Sequence, residues 1–576
     1  MMVKYLTKDD GLEKEIVKVL SVTKYVASHK DNINKDLLRG IITNIVGTVI
    51  TIDTIIHLMK DSKIYTQSDI LDIYDDVIKN NVEPVSYEVL ESYGLIRSND
   101  LGVDNLKKEI DVYTKKLRFD RSGFKKVKDK YTLEPIKFAN YFYSRVEIVS
   151  ISSEHFYIYT TDGVWESADK YTVSRITTYL MNELSLSLWK MLHGAQVFTA
   201  IQMTCKRIIK MDTFRNLMNL NNGMLDLDTF ELVEHDKEYY SSVRIDIQYA
   251  PNAICDRFRL YMKQITCGDE KLEMVMQEIL GYCLTSETRA EKAFIFYGRG
   301  SNGKSVFAKI ITMLAGRPNV SNIPLREFGV KFGMETIVGK IVNIATETEL
   351  DDFKLNTENF KSVTSGDSLH IQRKHKTGID IDPMVKLVFL TNNLPRVNDT
   401  TKGFLRKILI VPFNAEFTYD SSNAENRLDN RLIEKLETEK EGILLYALEG
   451  LKRLKENGFK FTESEVINNA IKEYEREINP TIEFFEDNIE ISNDASIHRP
   501  EVVSRFKSWA SYVGKQEWIN ISPQKFWVMF EQTMAKNGVK YNTKKVSGNI
   551  KVLGIKFKQS NIVEENLDDL IFEFVE

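Results

Sequence analysis

At 576 residues the chain exceeds what one hydrophobic core organises, so several domains are expected. Its 43% hydrophobic and 28% charged residues are those of an ordinary globular protein, and a net charge of −5 excludes a polycation that binds nucleic acid by bulk attraction. The cysteines Cys205, Cys255, Cys267 and Cys283 form no C-x-x-C pair and have no histidine at zinc-finger spacing, so they predict buried, reduced thiols and no zinc site.

The opening stretch MMVKYLTKDDGLEKEI lacks the apolar core of a secretory signal, which predicts a cytoplasmic protein. Helical spacing over residues 1–130, with no proline before Pro84, predicts a helical N-terminal domain, bounded here at 1–135. The most apolar run, GIITNIVGTVITIDTIIHLM (40–59), carries Asn44, Thr48, Thr51, Asp53 and Thr54; a buried helical segment is expected, and no membrane span. A basic run follows at 107–131, with Tyr113, Phe119, Phe124 and Tyr131 among its lysines and arginines. It reads either as a solvated helix face and linker or as a contact surface for DNA phosphates.

From about 140 the texture changes. HFYIYTTDGVWES (155–167) predicts a strand pair, helices follow over 171–212, and 217–235 predicts short strands broken by NNG and DLDTF turns. Residues 254–285 return to helix, and 136–288 is taken as one domain leading into the next. In the following domain, 289–415, apolar runs at 293–298, 340–350, 385–393 and 407–413 alternate with helical or loop segments, which predicts an α/β sheet covered on both faces. Residues 416–480 read as charged helix; 481–576 reads as two helices, a strand pair and an acidic, apolar tail.

FIFYGRGSNGKSVFAKI (294–310) matches G-x-x-x-x-G-K-[ST] between a strand and a helix. By residue frequency a chain of this length yields roughly 0.02 chance matches. Such loops converge backbone N–H groups on phosphate oxygens, here from Gly298, Gly300, Ser301, Asn302, Gly303, Lys304, Ser305 and Val306. Lys304 would reach the β- and γ-phosphates of ATP, the Ser305 hydroxyl would ligate Mg²⁺, and the helix dipole favours the anion.

Hydrolysis also needs an acid on a neighbouring strand. IVNIATETEL offers Glu347 as principal acid, serving the metal shell as well, with Glu349 in reserve on the same face. KLVFLTNNLP ends a strand in Asn392 and Asn393; such an amide orients the attacking water or touches the γ-phosphate, or else belongs to the turn before Pro395. Arg406 and Lys407 enter the last apolar run, where a cation stabilises transition-state charge in a neighbouring subunit's site.

The ordered series NLNNGMLDLDTFEL, EILGYCLT, GRGSNGKS, NIATETE, FKSVTSGDSLHIQRKHK, FLTNNLP and GFLRKILIVPF resembles the superfamily-three helicases of the AAA+ class, in the branch of phage, plasmid and poxvirus primase-helicases. The resemblance covers roughly 140–560. It implies a multidomain α/β protein with an AAA+ P-loop ATPase core, a helical N-terminal domain and a C-terminal winged helix. It implies Glu347 as the Walker B acid, Asn392 as sensor 1 and Arg406 as arginine finger, although Lys407 stands where the family usually has a second arginine. The basic tip Arg373, Lys374, His375 and Lys376 would be the hairpin that grips one DNA strand in a hexamer's channel. Lys544, Lys545 and Lys551 would contact duplex phosphates from the wing; Trp509, Phe526, Trp527 and Phe530 are expected in its core. DIYDD (72–76) is the one candidate for primase acids and lies in a helical setting, so residues 1–135 are expected to bind DNA or a partner instead.

The expectation is an ATP- and Mg²⁺-dependent DNA helicase that initiates replication of a mobile genetic element. It would engage single-stranded and duplex DNA as a hexameric ring, with a replication-initiation partner. The alternatives are a P-loop ATPase that remodels protein–DNA complexes without unwinding, and a DNA-binding initiator switched by nucleotide.

Overall fold

The computed structural model describes all residues except 1–2, 7–9, 61, 93–94, 96–104, 348–356, 375, 396–401, 419–426, 547–548 and 559–576. The chain divides into two compact units, residues 1–214 with 234–242, and 215–233 with 243–576.

Among the described residues, seven α-helices run from Asp10–Val19 to Leu106–Arg121 at the start of the first unit. Leu38, Ile41, Ile42, Leu90 and Ile110 close its helical core. The apolar run at 40–59 is buried over 40–45 and at Ile50, Ile55 and Met59, is half-buried or exposed elsewhere, and is not one helix. Lys35–Ile45 ends before Gly47, which takes φ +74, and Ile52–Leu58 starts anew from Thr51. No helix among the described residues is long and apolar enough to cross a membrane. In the basic run, Tyr113 packs on the helical core, while Phe119 and Tyr131 pack against a second core holding Phe124 and Phe138. Arg118 pairs with Glu183 at 2.7 Å and Arg121 with Glu15 at 3.0 Å. Its aromatic side chains are therefore packing residues, and its exposed cations are lysines such as Lys115, Lys116 and Lys126.

The predicted pair at 155–167 forms as His155–Tyr159 against Trp165–Ala168, and Ile148–Ser152 adds a third antiparallel strand. The helices Lys170–Leu184 and Met191–Thr204 cover it. All four cysteines are free; Cys255 and Cys283 are buried, Cys205 is half-buried, and Cys267 departs from expectation by being exposed.

The second unit is built on a five-stranded parallel sheet. Its strands, in chain order, are β1 (Ala293–Tyr297), β2 (Val320–Ser321), β3 (Val342–Glu347), β4 (Lys386–Thr391) and β5 (Ile408–Pro412). Their spatial order is β2-β3-β4-β1-β5, so β4 is inserted between β1 and β3. Every residue of β4 and β5 is buried, as a sheet covered on both faces requires. One face packs on Tyr282, Phe307, Ile311 and Leu448, the other on Phe328, Phe360, Phe404 and Tyr474. Helices Glu270–Cys283 and Lys440–Glu456 approach closely at Gly281, where an added Cβ would lie 2.2 Å from the Ala447 carbonyl oxygen.

Between β3 and β4 an antiparallel hairpin, Leu369–Arg373 with Lys376–Ile381, is anchored by the buried Ile371. Beyond the sheet stand three helices, Thr481–Asn488, Arg499–Tyr512 and Pro523–Lys536. A three-stranded antiparallel sheet packs on them, with Asn549–Phe557 between Ile489–His498 and Thr543–Val546. Trp509, Phe526, Trp527 and Phe530 are all buried there, in the core as expected. The acidic tail lies outside the described residues.

Candidate nucleotide-binding site

The site is the turn from β1 into the helix Lys304–Ala315, which predicted strand and helix bound as expected. Apolar β1 stops at Gly298, whose φ of +153 and close neighbours leave no room for a side chain: a Cβ would lie 2.5 Å from Asn302 Nδ2 and 2.6 Å from the Phe413 carbonyl. Gly303, at φ +85, turns the chain into the helix, and its Cβ would meet Ile265 at 2.6 Å. Gly300 has open space around it. Asn302 is buried and cross-braces the loop: its Nδ2 donates to the carbonyls of Arg299 and Phe413, and its Oδ1 accepts from the Lys304 N–H at 3.3 Å. The loop is thus tied to β5's exit as well as to β1.

Lys304 is 7% exposed. Its ammonium donates to the Gly298 carbonyl at 2.7 Å, the Thr391 carbonyl at 2.9 Å and Asn392 Oδ1 at 2.8 Å. Two residues singled out separately in the sequence therefore meet, because β4 lies beside β1 and ends level with it: Thr391 pairs with Tyr297. Burial pushes the Lys304 pKa below the ordinary lysine value. A cation held this way is set to receive an anion. The Ser305 hydroxyl is exposed at the helix start, with Val306 half-buried beside it.

Loop and helix start line a cavity of about 390 Å³. Its other walls are Arg257, Leu260, Tyr261 and Gln264 of the helix Asp256–Ile265, and Phe417, Arg427, Leu428, Asp429 and Leu432. Tyr261 also donates to the Gly303 carbonyl at 3.0 Å, and the Phe417 N–H to the Ser301 carbonyl at 2.9 Å. These wall residues were not expected. Helical spacing marks Tyr261 as core, and nothing local in the sequence marks Phe417.

Glu347 ends β3, and its backbone stands level with Thr391 one strand away. Its side chain, Glu349 and His375 lie outside the described residues. Asn393 sits in the turn after β4, where its N–H donates to Thr391 Oγ1 at 3.2 Å, which is the turn reading of that residue.

Arg406 and Lys407 part company. Lys407 is 6% exposed and donates to Glu291 and, at 2.6 Å, to Ser365 Oγ. Arg406 is exposed. Both precede β5, which runs parallel to β1, so they lie at the sheet edge opposite the glycine loop, about 17 Å away by strand length. Lys292 donates to the Arg406 carbonyl at 2.6 Å. Burial, and then the charges of Arg406 and Lys407, push the Lys292 pKa down, so this edge carries excess positive charge.

The hairpin's tip is polar and basic: Lys374 is exposed, Arg373 half-buried, and Lys376 pairs with Arg373 in the backbone register. Its stem is acidic, with His370 Nδ1 2.7 Å from Asp380, and the Lys374 N–H donates to Glu335 at 3.2 Å. Lys544 and Lys545 are exposed on the C-terminal sheet.

Residues 137–267 match the family described as "D5 N terminal like", and residues 296–407 match "Family of unknown function (DUF5906)". The chain is 26% identical over 362 residues to "Putative helicase 184R" of Invertebrate iridescent virus 6, covering 56% of this chain and 37% of that protein. It is 24% identical over 242 residues to "Putative helicase 121R" of Invertebrate iridescent virus 3, covering 37% and 24%. It is 22% identical over 222 residues to "Putative helicase L207/L206" of Acanthamoeba polyphaga mimivirus, covering 34% and 22%. The chain thus spans well under half the length of these relatives. Apo structures of the NrS-1 C-terminal region align over 71% of this chain and 97% and 96% of theirs, at 14% and 13% identity and TM-scores of 0.39 and 0.40, a distant likeness. Over these parts the chain is thus similar to a D5-type domain and to viral proteins named putative helicases.

Proposed function

We propose that this chain is an ATP-hydrolysing DNA helicase of the superfamily-three, AAA+ type, working as a hexameric ring in replication initiation of a mobile genetic element. The observation that carries the reading is the buried Lys304 ammonium, held by oxygens of the glycine loop and of the β4 tip at the mouth of a 390 Å³ cavity. The loop's N–H groups and the helix N-terminus take the phosphates, and the cavity takes the base and sugar between Leu260, Tyr261 and Phe417. Lys304 turns from Asn392 Oδ1 to the β- and γ-phosphates, which leaves the Asn392 amide facing the γ-phosphate.

The donor set suits Mg²⁺: an exposed Ser305 hydroxyl and the strand-end Glu347, with substrate phosphates completing the sphere. The ion would neutralise charge on the phosphates. Glu347 orients the attacking water. Arg406 lies too far from its own loop and acts in the neighbour's site, which is why a ring is part of the proposal. Lys374 and Lys376, with Arg373 and His375, track a DNA strand. The three-helix, three-stranded C-terminal region is read as a winged helix whose Lys544 and Lys545 touch duplex phosphates. The domain plan is 1–135 accessory, 136–288 pre-ATPase, 289–415 ATPase, 416–480 helical and 481–576 winged helix.

Strand displacement on a forked duplex tests this, with ATPase activity measured alongside. Lys304→Ala should abolish both. Lys374→Ala with Lys376→Ala should keep ATPase but lose unwinding and DNA-stimulated turnover. Wild-type protein that hydrolyses ATP yet separates no strands would refute the helicase and favour a remodelling ATPase.

A further inference from the structure

We propose that segment 559–576 of this chain docks on the outer face of the C-terminal sheet, over the row His498, Lys551 and Lys544, in the place of duplex phosphates. The row is fixed by strand register: Lys551 pairs with His498 on one side and directly with Lys544 on the other. Residues opposite one another share a face, and like charges there are destabilising without an anion over them. Lys545 adjoins the row, and Leu553 lies half-buried on the same face two residues along from Lys551. Lys556, at the other end of this face, is matched by Glu490 at 3.2 Å. Lys544, Lys545 and Lys551 have no ion-pair partner among the described residues. The unbalanced charge is therefore concentrated at one end of the sheet.

The sequence supplies a matching anion. Residues 499–558 hold twelve lysines and arginines against three acids, whereas 559–576 holds six acids, Glu564, Glu565, Asp568, Asp569, Glu573 and Glu576, and no cation. Val563, Leu567, Leu570, Ile571 and Phe574 recur at i, i+4, i+7, i+8 and i+11, the repeat of one helix side, with five of the acids between them. Charge and apolar pattern together suit a basic row with the apolar Leu553 beside it.

Reach agrees. Lys558 leaves the central strand, its N–H bonded to the Asn488 carbonyl at 2.9 Å. Lys551 lies seven residues back up that strand, about 23 Å at 3.3 Å per residue. Residues 563–576 wound as a helix would measure about 21 Å, with four residues left to reverse direction. The segment can lie back along the strand it follows.

The competition with duplex rests on the reading of this face as a DNA contact; the docking itself does not. Two measurements keep them apart. The first is fluorescence anisotropy of a labelled peptide of residues 559–576 with the chain lacking that segment. Saturable binding, weakened tenfold or more by Lys544→Glu with Lys551→Glu, is expected. No binding, or equal binding to the double variant, overturns the docking. The second is duplex affinity against salt for the full chain, the deletion, and a full chain with the six acids changed to amides. Both altered chains should bind duplex several-fold tighter than the full chain, with a salt slope steeper by about 1.8 for the two freed lysines of the row, Lys544 and Lys551. Peptide binding with no duplex binding by any form supports the docking and refutes the DNA reading. Duplex affinity that is measurable and identical in all three forms overturns the competition.

Discussion

Replacing Asn392 by alanine separates holding Lys304 from serving the γ-phosphate. An ammonium has three protons, and in this structure all three are used, on the Gly298 and Thr391 carbonyls and on Asn392 Oδ1. Lys304 reaches a phosphate only by giving one of them up. The Asn392 bond is the one made to a side chain, and a bond to a charged group is worth about 1.5–3 kcal/mol. Asn392 is exposed, so the lower end applies, about 1.5 kcal/mol or roughly tenfold in affinity. In Asn392→Ala that bond need not be broken, so ATP should bind as tightly as in wild type or up to about tenfold tighter. On the proposed reading turnover should fall by roughly 10²-fold, because the amide no longer stabilises charge developing on the γ-phosphate. Equilibrium titration with a fluorescent nucleotide and single-turnover hydrolysis read the two effects separately. Affinity weakened tenfold with the rate at saturation unchanged would refute the reasoning and make Asn392 an anchor for the lysine.

The two cations before β5 should behave oppositely. Arg406→Ala should keep its melting temperature and lose ATPase, and mixing it with Lys304→Ala subunits should restore activity if the finger acts across subunits. Lys407→Met should leave that complementation intact but melt lower, since it strands Ser365 and Glu291; Glu291 is half exposed, so the loss is about 1–2 kcal/mol. Gly281→Ala drives a methyl onto the Ala447 carbonyl and should cost about 1–3 kcal/mol of stability, read by denaturant titration. Lys386 is fully buried, donating to the carbonyls of Thr285 and Met384, and burial pushes its pKa down from 10.5 to about 7. Between those values the unfolded chain keeps the proton that the folded chain releases, so stability rises with pH through that window and is flat at its lowest below about 7. Melting curves across this range should show wild type gaining on Lys386→Met; parallel curves would refute a neutral lysine.

The strands of the parallel sheet were legible because burial on both faces leaves nearly unbroken apolar runs, as in β4 and β5. The glycine loop was legible because its backbone geometry restricts residue type at Gly298 and Gly303. What the sequence hid depends on partners distant along the chain. Ile489–His498 carries Ser492, Asn493 and Asp494, which locally read as a turn; its strand state comes from pairing with Asn549–Phe557. Two-residue β2 is too short to leave a pattern. Arg406 and Lys407 are equivalent cations on paper, and the fold alone buries one and exposes the other. Phe417 reaches the cavity from beyond β5, and nothing in its own neighbourhood announces that.

If Glu347 is the acid, as proposed, the insertion of β4 between β1 and β3 also sets how far its side chain must reach. Adjacent strands lie about 4.8 Å apart, so the backbone of Glu347 stands two spacings, about 10 Å, from the tip of β1. Asn392 is one spacing away and touches Lys304 directly; an acid on β3 meets the lysine's phosphate only across a gap that admits a phosphoryl group and a water. Glutamate has one more methylene than aspartate, roughly 1.5 Å of reach. Glu347→Asp keeps the charge and loses that reach, and a misplacement of about 1 Å at a reacting water can cost 10²-fold. Glu347→Asp should therefore fail in turnover nearly as badly as Glu347→Gln, while both bind ATP as wild type does. If the aspartate variant hydrolyses ATP at the wild-type rate and the glutamine variant does not, charge suffices and the sheet spacing does not position the water.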